Sequence, residues 1–218
     1  MTVRCEHCQD QRYDGLVTAH TPYHHGDLSE ALAVEALAQL KVKGSQAVSL
    51  RGVAQAVGVS ASAAYNHFPD KTSLMQEVGH RGSLEFDQRI ILAVGSVPGR
   101  GRLAAVGRMR AIGAAYVGFA VDEPHLFRHI FSAECASDVP PGPEQTKDSA
   151  AYSTLGRCLD DLARLGVLRP AREGLELLAW TSVHGFASLV IEGIFAPEAA
   201  ELMLDTLLGA VLQPATAR

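Results

Sequence analysis

Cys5, Cys8, His20 and His24 stand as C-x2-C-x11-H-x3-H, one residue short of the spacing that holds zinc in a ββα finger. Thiolate and imidazole suit zinc, and His7 adds another imidazole to the stretch. A finger of that kind also needs aromatic and leucine core residues between its ligand pairs. Tyr13 and Leu16 fall out of step with those places. The Cys5–Cys8 pair is also a dithiol, with only Arg4 and His7 nearby to lower a thiol pKa. These residues are candidates for a zinc or thiol sensor within a polar extension. Cys135 and Cys158 read as ordinary core or surface thiols.

Enzyme chemistry has less to stand on. There is no G-x-S-x-G elbow, no H-E-x-x-H, no S-x-x-K and no Gly-rich phosphate loop. Outside the N-terminal cluster, the nine histidines do not group with carboxylates at ligand spacing. Neither a catalytic residue nor a cofactor is expected.

A third set of residues suggests binding. Met109, Ile112, Tyr116 and Phe119 recur at i, i+3, i+7 and i+10, and Trp180 and His184 stand at i and i+4. Each alone reads as ordinary core packing. Together with Phe127 and Phe131 they are candidates to line an apolar cavity with one or two polar anchors, as small-molecule pockets do.

All of these residues need elements to position them. The chain has 218 residues, enough for a real core; 47% are apolar, and no alternating run argues for a sheet. The expected fold is all-α. A helix should start at Asp27, capped by it with Glu30 closing a capping box, bury Leu28, Leu32, Ala36 and Leu40, and stop at Gly44. Further helices are expected over 50–57, 61–67 and 71 to about 94. After the break "GSVPGRGR" they continue over 103–121, 124–132, 144–165, 171–194 and 197–212. The organisation predicted is an extension over 1–21, a helix-turn-helix domain over 22–80 and a ligand-binding and dimerisation domain over 81–218.

Four scattered cysteines and the lack of a signal-peptide pattern point to the cytoplasm. The most apolar window, 175–194, is interrupted by Glu176, His184 and Glu192, so no membrane association is expected. That helix is apolar nearly all round, and Leu202, Met203, Leu207, Leu208, Val211 and Leu212 crowd the next. A second copy of the chain would cover both.

The helix-turn-helix lies in "SLRGVAQAVGVSASAAYNHFPDKTSL". Ser49 and Ser60 can cap two short helices, Gly58 can turn the chain left-handed between them, and Pro69 ends the second. Ala54, Gly58 and Ala64 are small enough for a steep crossing, and Val53, Val57, Val59 and Phe68 supply the grip. Such a unit presents its second helix to the major groove of double-stranded DNA.

"YHHGDL", "AVGVS" and "YNHFPDK" together resemble the DNA-binding domain of the TetR family of bacterial transcriptional regulators, over about Tyr23 to Glu77. His24 and His25 fall within this lead-in. "AYVGFAVDEPHLFRHIF" and "WTSVHGFASLV" resemble the ligand-binding domain of a TetR subgroup with a W-x(n)-H-G motif, here Trp180, His184 and Gly185. The resemblance implies a homodimer through the last two helices, a small apolar or amphipathic effector and a DNA operator, most often with repression. It places Ala61, Ser62 and Ala63 toward base edges, and Tyr65, His67 and Lys71 toward phosphates. Ser49 and Ser60, whose first task is capping, are further candidates for phosphate contact, and Asn66 completes the set of nine expected at DNA. Asn66 stands where many relatives carry arginine or tyrosine, and Gly52 where many are acidic.

Charge sets a constraint on this reading. The formal net charge is −5, and residues 22–80 hold four Lys and Arg against five Asp and Glu. DNA binding therefore needs local devices and dimerisation rather than a basic surface. The alternative function is a thiol- or zinc-responsive regulator using the N-terminal cluster.

Overall fold

The computed structural model describes residues 25–132, 149–169 and 172–214. Among them stand nine α-helices: α1 His25–Lys43, α2 Leu50–Val57, α3 Ala61–Tyr65, α4 Lys71–Gly95, α5 Gly101–Asp122, α6 Pro124–Ile130, α7 Ala150–Arg164, α8 Leu175–Ile191 and α9 Ala199–Val211. A 3-10 turn, Ser45–Ala47, links α1 to α2. The all-α expectation holds. The extended backbone pairing among the described residues is an isolated bridge, Leu168 with Leu212, which ties the chain after α9 to the α7–α8 connection. No described helix is long and apolar enough to cross a membrane.

α1 packs on the first half of α4, and α2 and α3 pack on α1 and on each other. Leu32, Ala36, Leu40, Val53, Ala64, Leu74 and Val78 are all sealed from solvent there. Burying a leucine of this kind contributes about 1.5–3 kcal/mol, against about 1 kcal/mol for a cap. The core therefore orients the short helices, and the caps define where they begin. Gly44 ends α1 as expected, with a φ of 78°.

α4 continues without a break and packs on α5, α6 and α7, so one hydrophobic core runs through both halves. At 25 residues it is about 37 Å long. Residue 80, the expected domain limit, lies inside it, so the two halves share a rigid rod. Gly82 allows α6 to sit directly on that rod, since a Cβ there would come within 2.8 Å of Ile130 Cγ2 and nearer still to Leu126. Asp87 fastens α7 to α4 by accepting from Ser149 Oγ at 3.0 Å and from the amides of Ala150 and Ala151 at 3.0 and 2.9 Å.

Several local expectations are corrected. α1 begins at His25, so Asp27 lies within its first turn and not at the cap position. Both carboxylate oxygens of Glu30 accept from Arg81 of α4, at 2.7 and 2.6 Å. α3 stops at Tyr65 rather than residue 67, because the chain must turn Phe68 into the core and Phe68 precedes Pro69. α8 starts only at Leu175, after Gly174 at φ 77°. Gly58 makes no close crossing: a Cβ there would meet nothing within 4 Å, and its φ of 82° is what requires glycine.

A candidate reading helix and an aromatic box

Ser49 accepts from the Gly52 amide and Ser60 from the Ala63 amide, each at 3.1 Å. Both hydroxyls are thus engaged in capping, although both remain exposed. Ala64 and Phe68 anchor α3 from below, and Ala61 and Ala63 are half-buried on its flanks. Ser62, Tyr65 and Asn66 are exposed, at i, i+3 and i+4, so they share the outward face. His67 is half-buried in the turn that follows. Of the nine residues expected at DNA, the fold points these three plus Lys71 most directly outward.

Lys71 is the first residue of α4, and its Nζ donates to the Ser45 carbonyl at 2.8 Å. Its position matches expectation, but the start of α4 already carries an anion. Asp70 accepts from the Ser73 amide at 2.8 Å in a capping box, so its carboxylate, not an incoming phosphate, answers the helix dipole first.

The second site gathers in the C-terminal half. Tyr116 Oη and His184 Nδ1 are 2.8 Å apart. Around them, Trp180 meets the Tyr116 ring edge-on at 5.2 Å, Phe131 meets the His184 ring at 4.9 Å, and Phe127 stacks on His184 at 5.4 Å. The structure therefore brings together five of the eight residues expected to line a pocket. Phe119 is tucked behind Phe86, at 5.2 Å, and is buried. Met109 and Ile112 line an adjoining crevice with Tyr116 and Trp180, against Leu155, Val183 and Leu204. That crevice holds about 30 Å³, the space of one water.

Two rings of the box escaped the sequence analysis. Phe86 contacts Tyr116 edge-on at 5.0 Å, and Tyr152 contacts Trp180 at 5.3 Å. Phe86 sits at the i+4 spacing that continues the Val78 and Gly82 stripe, a signal that marks core but not which core.

Burial without a compensating charge pushes the Tyr116 hydroxyl far above the ordinary phenol range and pulls the His184 imidazole below its own. The couple is therefore neutral at physiological pH. A histidine whose folded pKa is lowered contributes stability that is full above its unfolded value and lost as pH falls through the folded one. Melting temperature should therefore fall more steeply from about pH 7 to about pH 5 in the native chain than in His184→Gln. Equal slopes in thermal melts of the two would show that His184 is not held neutral.

Two family models match this chain. "Bacterial regulatory proteins, tetR family" covers residues 32–78, and "Tetracyclin repressor-like, C-terminal domain" covers 109–211. The chain belongs to the TetR family. The first match spans the helix-turn-helix, and the second contains Met109, Tyr116, Phe131, Trp180 and His184.

Solved structures show the same fold along most of this TetR-family chain. A protein of unknown function from Rhodococcus sp. RHA1 is 26% identical with a TM-score of 0.73, over 89% of this chain and 100% of its own. A TetR family transcription regulator from Marinobacter aquaeolei VT8 is 20% identical, with a TM-score of 0.60, over 85% and 95%. SmeT, the repressor of the Stenotrophomonas maltophilia multidrug efflux pump SmeDEF, is 17% identical, with a TM-score of 0.61, over 87% and 93%. None of the functionally curated proteins compared matches the sequence.

Among the described residues of this family member, no three His, Cys, Asp or Glu are grouped to hold a metal ion. Cys5, Cys8, His20 and His24 lie outside the described residues, as does Cys135. Cys158 is buried, and burial pushes its thiol upward, away from reactivity.

Proposed function

We propose that this protein is a dimeric repressor that acts by binding, in the cytoplasm, and is released from its operator by a small molecule held in the aromatic box. Ser62, Tyr65 and Asn66 face the major groove, while Lys71 contacts a phosphate once freed from Ser45. One observation carries the coupling. α6 is bounded by the box at Phe131, and on its other side His129 Nε2 donates to the Met75 carbonyl of α4 at 2.9 Å. α4 follows directly on the reading helix, so a ligand that displaces Phe131 moves the support of α3.

The faces of α8 and α9 favour a dimer. Leu177, Leu178 and Leu202 are exposed at 61%, 46% and 71%. Gly185 lies open on the same face as Leu178, with nothing of its own chain within 4 Å of a Cβ placed there. A second copy covers these leucines and places two α3 helices on one face of the duplex.

The test is fluorescence anisotropy on DNA from upstream of the protein's own gene against scrambled DNA, at two salt concentrations. Preference for the upstream fragment supports a sequence-specific regulator, and equal affinity for both opposes it. Within that assay, Lys71→Ala should weaken all sequences alike and lower the salt slope by about one. Ser62→Ala should instead change the ranking of operator variants. If the two variants act alike on every sequence, α3 is not the reader. An effector should lower operator affinity by about 5–150-fold, with the reciprocal effect of DNA on effector binding.

A further inference from the structure

The chemistry of the box limits what it can hold, granted the reading of it as the effector site. Its walls are ring faces and edges, with one polar couple, Tyr116 and His184. No charged residue lines the adjoining crevice. Asp87, next to Phe86 on α4, is already committed to the three donors at the start of α7. An ionised ligand group buried beside that crevice would meet no counter-ion among the described residues that line it, a heavy cost in an apolar site.

The ring geometry is also selective. Tyr116 and Phe131 lie within 20° of parallel, with centroids 6.0 Å apart. A flat ring between them needs a van der Waals separation on each side, about 7–8 Å in all. The two ring planes must stand that far apart to admit it, so Phe131 must retreat from Tyr116. It is the ring placed to do so, being 37% exposed just past the end of α6. A puckered saturated ring is thicker and demands more.

The polar couple sets the rest. If the Tyr116 hydroxyl donates to Nδ1, the phenol oxygen keeps an acceptor and Nε2–H a donor. If Nδ1–H donates to the phenol, the hydroxyl is the donor and Nε2 the acceptor. Either tautomer leaves one donor and one acceptor for a ligand. We infer that the effector is an uncharged, planar aromatic molecule carrying one hydroxyl, carbonyl or ring N–H, seated between Tyr116 and Phe131 with its polar atom on the Tyr116–His184 couple.

Trp180 is the only tryptophan in the chain, so its indole N–H gives a single NMR signal at the box. The full-length protein is titrated with four probes at neutral pH, without DNA: β-naphthol, β-naphthoate, decahydro-β-naphthol and naphthalene. Calorimetry supplies the affinities. β-Naphthol should shift the Trp180 signal and bind at least about tenfold more tightly than the charged or the saturated probe. Tyr116→Phe should erase its advantage over naphthalene, whose own binding shows that the variant box is intact. Equal or tighter binding of β-naphthoate, no discrimination against the saturated alcohol, or an unmoved Trp180 signal overturns the inference. Operator binding is assayed separately. β-Naphthol that binds as expected but leaves the operator complex intact supports the ligand class and opposes the effector reading. A probe that releases DNA without moving Trp180 supports release by a ligand and overturns this site.

Discussion

Replacing Phe86 by alanine should lower the melting temperature by about 6–20 °C. The ring is buried and meets four others: Tyr116 at 5.0 Å, Phe119 at 5.2 Å, Phe131 at 5.6 Å and Trp180 at 6.2 Å. Truncating a buried phenylalanine costs about 3–5 kcal/mol, because lost transfer energy and an unfilled cavity add. In a chain of this length each kcal/mol moves the midpoint by about 2–4 °C. Differential scanning calorimetry checks it, with Phe86→Leu as the milder control. A fall of a degree or less would mean that the rings are not packed around Phe86. The same variant probes function, since Phe86 backs both Tyr116 and Phe131.

Placing glutamate at both Leu178 and Leu202 should yield a folded monomer with operator affinity reduced at least about 100-fold, as expected when a two-half-site reader loses its partner. Both leucines are exposed in the single chain, so each fold should survive, as circular dichroism would show. In the dimer, four carboxylates would be forced into an apolar seam without partners. Analytical ultracentrifugation decides the point. A double variant that stays dimeric would place the interface elsewhere than α8 and α9, and a monomer with full affinity would remove the need for symmetry in reading DNA. Arg110 and Asp205, paired between α5 and α9, stay in place in either case and hold α9 to its own chain.

What the sequence could show by itself was whatever the backbone decides within a few residues. Ser49, Gly58, Ser60 and Pro69 announce two short helices and the turn between them, because caps, left-handed turns and proline act on their immediate neighbours. Gly44 ends α1 for the same reason, and the family resemblance follows from that local grammar. The spacing of Tyr116 with Met109, Ile112 and Phe119, and of Trp180 with His184, also placed each set on one face of its helix. It did not say what they face. Phe86 joins them from a helix that begins within the DNA-binding half, and a continuous helix of 25 residues carries no mark of which residues will meet which neighbours.

Tertiary structure decided the rest. Glu30 had a local use as a cap and a distant one with Arg81, 51 residues on; the bidentate, charge-assisted pair prevailed. Lys71 came to rest on the Ser45 carbonyl, and Asp87 reached the start of α7, contacts that no spacing along the chain encodes. Gly113 reads as a plain helix interior, yet a side chain there would collide with Leu204, so its smallness matters only because α9 crosses it. Local preferences are properties of a segment and can be read in one dimension. Close approach, ion-pair choice and the meeting of rings from α4 to α8 depend on which surfaces the whole chain buries against one another, and only the folded chain specifies that.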